Sequence, residues 1–311
     1  MPLMHPMRGL FLWMAGNETL HQRLPRMPGA QRAVRRFLPG ERLEDALAAA
    51  DRLQAEGFGV LLTHLGESLT DPEAAEAVAA HYLEVIDRTR GRPRPIEISI
   101  KPTQLGMGAD DEACRARSEA LAAAVDAAGT WLWLDMEGSA LTSSTIELYR
   151  RLRDRHPRVG IALQAYLKRS AGDVHRLLPL EPAIRLVKGA YDEPASIAYR
   201  SGADVDASFQ ALALKVAEAA AAGRARLALG THDTALIGRI GTMAEAVGVP
   251  RSALEVHMLF GIREAELRRL ATEGYPCSSL VSYGDAWYRW YMRRLAERPA
   301  NVVFALRQFL P

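Results

Sequence analysis

Residues 131–166 read WLWLDMEGSALTSSTIELYRRLRDRHPRVGIALQAY. Two short β-rich apolar runs, Trp131 to Glu137 and Val159 to Tyr166, bracket a segment of helical period at 143–155. Strands that are apolar on both faces and joined through a helix pair in parallel, because a parallel pair needs a crossover and the helices then cover the sheet. The unit repeats in both directions. Further runs lie at Phe58 to Leu65, Ile96 to Thr103, Ile184 to Ala190, Leu227 to His232, Leu254 to Gly261 and, more weakly, Ser278 to Tyr283. Helical segments fall at 42–56, 72–90, 111–128, 171–178, 206–222, 234–247 and 263–273, with another at 285–298. Asp71-Pro72 reads as a helix start, and Gly57, Gly91, Gly129, Gly223 and Gly274 stand where helices should stop.

Eight such units predict an α/β fold, a closed (βα)8 barrel. The competitor, an open doubly wound sheet, usually carries a Gly-rich phosphate turn after its first strand. Here that strand ends Thr63-His64-Leu65-Gly66-Glu67, and neither GxGxxG nor GxxxxGK[ST] occurs in the chain. The barrel is favoured, over residues 41–311, preceded by a helical arm at 1–40. That arm is Arg-rich and could imitate an organelle transit sequence, but its apolar stretch Leu10 to Met14 is equally that of a helix packed on the domain, the preferred reading.

The 311 residues are 49% apolar and 24% charged, with 39 Lys and Arg against 37 Asp and Glu. This excludes disorder and a disulfide scaffold, and gives no global pull toward nucleic acid or an anionic membrane. Two isolated cysteines, Cys114 and Cys277, point to a reducing, cytoplasmic setting without structural zinc.

An active site in such a barrel is built at the strand C-termini. Polar residues collect there: Lys101, Asp135 and Glu137, Gln164 and Tyr166, Arg185 and Lys188, Thr231-His232-Asp233, and His257. Any one could be a rim charge or a satisfied core group; six strand ends with such cargo are harder to dismiss, since buried polar groups need partners. HxH and HExxH are absent, so no metal is expected. A ring of Lys, Arg, Gln, Thr and His donors suits a polyanionic, carbonyl-rich ligand such as a flavin dinucleotide. In Trp287 to Glu297 an arginine pair, Arg293-Arg294, sits among aromatics: either a carboxylate clamp or an amphipathic outer helix.

Lys101-Pro102-Thr103-Gln104-Leu105-Gly106, Leu134-Asp135-Met136-Glu137, Leu163-Gln164-Ala165-Tyr166-Leu167, Arg185-Leu186-Val187-Lys188-Gly189-Ala190-Tyr191, Thr231-His232-Asp233 and Arg293 to Asn301 together resemble the proline dehydrogenase family, of the small bacterial stand-alone type. The resemblance implies a distorted barrel with a C-terminal helix carrying the Arg pair. It also implies non-covalent FAD, and oxidation of L-proline or a closely related cyclic amino acid to 1-pyrroline-5-carboxylate or its analogue. Hydride would go from the ring carbon next to nitrogen to flavin N5, and electrons onward to a quinone, with at most peripheral contact with the inner membrane. By position it puts Arg293, Arg294 and Lys101 on the substrate carboxylate, and Asp135 and Arg185 in catalytic roles, Asp135 orienting Lys101 and Arg185 approaching N5. Met136, Gln164, Val187, Lys188, Gly189, Ala190, Thr231 and His232 would hold FAD. Tyr191, Leu259, Leu280 and Trp290 would border the substrate.

The chain also departs from the family pattern. Ser278, Leu280 and Ser282 stand where the family usually has Arg, Tyr and Pro, Trp290 stands for a tyrosine, and His257 for a glutamine. Two tyrosines that normally wall the pyrrolidine ring are thus replaced, which predicts a preference for a substituted or related cyclic amino acid over proline itself. Two rivals remain open at this point: a Schiff-base lyase using Lys101 or Lys188, and a binding-only regulator, for which no recognition helix is evident.

Overall fold

A computed structural model describes residues 37–66 and 68–288. The chain alternates α1 (Leu43–Ala55), β1 (Gly59–His64), α2 (Pro72–Thr89), β2 (Ile96–Ile100), α3 (Asp111–Ala128), β3 (Leu132–Leu134), α4 (Thr142–Arg153) and β4 (Val159–Gln164). It continues through α5 (Ser170–Leu177), β5 (Ala183–Val187), α6 (Gly202–Ala221), β6 (Arg226–Gly230), α7 (Thr234–Ala246), β7 (Glu255–Leu259), α8 (Glu264–Thr272) and β8 (Cys277–Tyr283). Each strand pairs in parallel with the next, and β8 returns to β1 over six residue pairs, Gly59 with Ser278 through His64 with Tyr283, closing the barrel.

The two faces of each strand have different jobs. Outward residues such as Ile96, Ile98 and Ile100 on β2, Leu132 and Leu134 on β3, and Ile184 and Leu186 on β5 join one continuous core with the helices. Inward, only a small apolar cluster forms, of Leu61, Trp133, Ala183 and Ala228 with Trp131 and Leu280 against it. Trp133 reaches across β4 because Gly160 has no side chain: a Cβ there would lie 2.5 Å from the indole. Most of the remaining inward positions are small or polar, with Val187 and Leu259 the apolar exceptions at the upper ends of β5 and β7, and the upper part of the interior stays open.

The expected helix starts and stops are present. Asp71 caps α2, accepting from Glu73 N at 3.1 Å with Pro72 in the first turn, and all five predicted stop glycines have positive φ. Several edges differ from the sequence reading. β2 ends at Ile100 rather than Thr103 because Pro102, with no N–H for the ladder, opens a 3-10 turn over Pro102–Leu105. β3 stops at Leu134, paired with that last residue of β2. α6 starts at Gly202, four residues before the expected 206, because the Ser201 side chain accepts from Asp204 N at 3.1 Å and caps it there. Cys114 and Cys277 are both buried and free. The expected arm at 1–40 falls outside the described residues except for 37–40, as does the helix at 285–298 after Tyr288, with Trp290, Arg293 and Arg294.

Candidate functional site

The C-terminal mouth of the barrel opens into a cavity of about 310 Å³. Fourteen of the site residues anticipated from the sequence line it: Lys101, Asp135, Met136, Gln164, Arg185, Val187, Lys188, Gly189, Ala190, Tyr191, Thr231, His232, Leu259 and Leu280. Thr63, Ala162, Gly230, His257, Met258 and Ser282 complete the wall.

Its centre is an ionic arrangement built from three strands. Side chains on one face of a strand recur every second residue, so Glu97, Ser99 and Lys101 share the inward face of β2 and its extension. Asp135 follows β3, and Arg185 lies midway along β5 and is 4% exposed. Arg185 Nη2 donates to Asp135 Oδ1 and, at 2.8 Å, to Ser99 Oγ, whose own hydroxyl donates to Asp135 Oδ1 at 2.9 Å. Lys101 Nζ stands 3.6 Å from the other carboxylate oxygen. Asp135 is thus shared between two cations, one on each oxygen. The Arg185 guanidinium also lies 5.2 Å over the Trp133 ring, a cation–π contact that eases its burial.

Below this level a second ionic group fills the barrel. Arg226 Nε and Nη2 donate to the two oxygens of Glu255, each at 2.7 Å, and Nη2 also to Glu97 at 2.7 Å. Trp133 Nε1 donates to Glu97 at 2.6 Å, and Trp131 lies under the guanidinium at 4.7 Å. Burial works to raise the Glu255 pKa, but its bonds with Arg226 and His257 bring it down to about 2. His257 is pushed below the ordinary histidine value by burial, against the pull of Glu255 at 3.4 Å, and so stays neutral near pH 7. These pairings escaped sequence reasoning, because only the barrel register brings β2, β6 and β7 together.

Around the rim the loops hold one another. Glu137 accepts from Thr103 N at 3.1 Å and Thr103 Oγ1 at 2.6 Å; burial raises its pKa although these bonds oppose the shift. Gln164 Nε2 donates to the Glu137 carbonyl at 2.7 Å, which fixes the amide at the cavity wall. Lys188 Nζ is held between Asp206 at 2.6 Å and Asp233 at 2.7 Å. Burial disfavours that ammonium, but the two carboxylates outweigh it and hold the pKa above that of an ordinary lysine. His232 Nε2 accepts from Leu259 N at 3.0 Å, which leaves Nδ1 to carry the ring proton. Gly189, at φ 115°, lies under the Tyr166 ring, where a Cβ would collide at 2.2 Å.

The donor set fits a flavin dinucleotide. It is cationic and rich in N–H and hydroxyl donors, with Lys101, Arg185, Lys188, Gln164 and Thr231 all in the wall. Such donors in a cavity wall suit a ligand with carbonyl and ring-nitrogen acceptors.

Comparison with known proteins gives a consistent picture. The family model described as "Proline dehydrogenase" matches residues 46–307. The chain is 31% identical to proline dehydrogenase 1 of Bacillus subtilis over 304 residues, 98% of this chain and 99% of that one. It is 33% identical to proline dehydrogenase of Deinococcus radiodurans over 280 residues, 88% and 89% of the two chains. Among solved structures, proline utilization A from Bdellovibrio bacteriovorus, inactivated by N-propargylglycine, superposes with a TM-score of 0.79 at 20% identity. That match covers 93% of this chain but 38% of the larger protein, so it speaks for the fold.

Proposed function

Since the chain belongs to the proline dehydrogenase family, we propose that its barrel mouth oxidises L-proline or a closely related cyclic amino acid at the ring carbon next to nitrogen, with FAD bound in the cavity. The observation that carries this reading is the Lys101–Asp135–Arg185 arrangement at the head of an open, donor-lined cavity. FAD supplies the two-electron acceptor that no amino-acid side chain provides. Gln164, Lys188, Thr231, His232 and the backbone from Val187 to Ala190 are the groups we assign to hold it, with Met136 against it.

Arg185, desolvated and fixed by Ser99 and Asp135, is a preorganised positive charge for the electron density that arrives in the cavity, and it need not reorganise during the reaction. Lys101 presents an ammonium to the substrate carboxylate, joined in this proposal by Arg293 and Arg294. Asp135 orients rather than accepts a proton: both of its oxygens are engaged by cations, so the proton of the substrate amine leaves to solvent. Tyr191, Leu259 and Leu280 form the wall for the apolar ring. The onward electron acceptor we assign is a quinone, reached by peripheral contact with a membrane from the cytoplasm; no helix among the described residues is long and apolar enough to cross one.

The lyase reading loses its nucleophile. A Schiff base needs a neutral amine, whereas Lys188 is held protonated between two aspartates and Lys101 is paired with Asp135.

One spectrum tests the proposal. Purified protein should show flavin absorbance that bleaches anaerobically on addition of a cyclic amino acid. A colourless protein, or a flavin that no member of a panel of proline, hydroxyproline and pipecolate bleaches, would overturn it.

A further inference from the structure

Tyr191 and the Asp135–Met136 pair stand on two different loops of one cavity, and a single carboxylate ties those loops together. Glu193, in the β5–α6 loop, accepts from the Ser139 backbone N–H at 2.7 Å through Oε1 and from the Ser139 hydroxyl at 2.5 Å through Oε2. The partners are 54 residues apart in sequence. Ser139 opens the 3-10 turn Ser139–Leu141 that leads into α4, four residues after Asp135. The carboxylate lies along the bare face of Gly138, where a Cβ would be 3.9 Å from Glu193 Oε1.

The rest of the β5–α6 loop is anchored elsewhere. Tyr199 N donates to Tyr166 O at 2.8 Å, Lys168 N to Ile197 O at 2.9 Å, and Lys168 Nζ to Ala195 O at 2.8 Å. Its far half is therefore fastened to the β4–α5 loop, while Glu193 fastens the near half, which carries Tyr191, to the β3–α4 loop. Two hydrogen bonds to one ionised group, one from a backbone amide, are among the stronger polar contacts a loop can make, and ordering a loop before the ligand arrives removes part of the cost of binding.

We infer that Glu193 is a positioning residue of the site: its grip on Ser139 sets the separation of the Tyr191 wall from the Asp135–Met136 wall, and so governs affinity for the cyclic amino acid rather than the rate of its oxidation. The inference rests on the reading of this cavity as the substrate site.

The test compares the holoenzyme with Glu193→Ala, Glu193→Gln and Ser139→Ala variants. Glu193→Ala should raise KM for the cyclic amino acid about tenfold, the equivalent of one charge-assisted hydrogen bond, with kcat within about twofold. Ser139→Ala keeps the backbone bond and should raise KM about threefold. Glu193→Gln, which can accept from the amide and donate to the hydroxyl, should recover most of the affinity. Hydrogen exchange read by mass spectrometry should show lost protection at the Ser139 amide and over 189–194 in Glu193→Ala, with the barrel strands unchanged. Unchanged exchange in those segments, or a fall in kcat at constant KM, overturns the inference. Should Glu193→Ala not fold, Ser139→Ala carries the same test. Exchange does not depend on turnover, so a wild-type protein that oxidises no cyclic amino acid would sink the functional reading and leave Glu193 to be judged on loop order.

Discussion

Asp135 and Arg185 form an ion pair inside the barrel, Arg185 buried and Asp135 partly so, and Ser99 hydrogen-bonds both members. In Asp135→Asn the guanidinium keeps an amide oxygen to bond, but Lys101 loses its counter-charge. That variant should fold and stay yellow while kcat/KM falls by about tenfold or more. Asp135→Ala leaves Arg185 buried without a counter-charge and should cost about 3–5 kcal/mol in urea denaturation. A colourless Asp135→Asn protein would instead make Asp135 a support for the cofactor.

Lys188 should behave as a fixed cation. Borohydride reduction in the presence of a carbonyl compound should leave no covalent adduct on the chain by intact mass, because the ammonium stays protonated through neutral pH. Lys188→Met should lower stability by only about 1 kcal/mol, as the group is a third exposed and screened by solvent. A trapped adduct at Lys188 would reopen the lyase reading.

Stability should fall on mild acidification. Burial, and then the neighbouring His81, hold the His64 pKa at about 4, below its ordinary 6.5. Between those values the unfolded chain binds a proton that the folded one does not, so the stabilisation is whole above 6.5 and is lost progressively as pH falls toward 4. The loss from His64 should be about 2 kcal/mol once its partial exposure is allowed for. Burial also lowers His81, which adds in the same direction. Melting temperatures of His64→Asn between pH 7 and pH 4 should vary less than those of the parent; an equal slope would assign the effect to other groups.

Arg226 holds two acids at once. Arg226→Met leaves Glu97 and Glu255 in the barrel interior without their cation and should cost about 3–5 kcal/mol by denaturant titration. Adding Glu97→Gln and Glu255→Gln should recover a large part of that loss. If the triple variant is no more stable than Arg226→Met, packing on Trp131 and Trp133 is what the arginine supplies.

Leu280 should act on selectivity. It packs against the inward cluster of Leu61, Trp133, Ala183 and Ala228 and lines the cavity beside Leu259. We expect substituted or related cyclic amino acids to outrank proline, and Leu280→Tyr to shift the kcat/KM ratio toward proline by about tenfold, the scale set by side-chain differences in a pocket. Proline turnover in the parent that is both faster and more selective than on hydroxyproline and pipecolate would refute this.

The barrel was legible because its strands are apolar toward the helices and end in polar residues, a pattern that survives in one dimension. Element edges were less so: the Gly202-Ala203-Asp204 start of α6 looks like loop until the Ser201 cap is seen. The site divides in the same way. Lys101, Asp135 and Arg185 stand at strand ends or in a family motif, whereas Ser99, Arg226 and Glu193 are ordinary polar residues until the register joins them to partners on distant elements. Ser99 alone had a local signal, since it shares an inward face with Lys101.

At the mouth each loop is addressed to its neighbours: Ser68 N donates to Thr103 Oγ1, Thr103 donates to Glu137, Ser139 to Glu193, and Lys188 to Asp233. A loop transplanted singly from a relative would arrive with half of each handshake missing. Redesign of this face has to exchange adjacent loops as matched pairs, and natural variation at these positions should travel in couples.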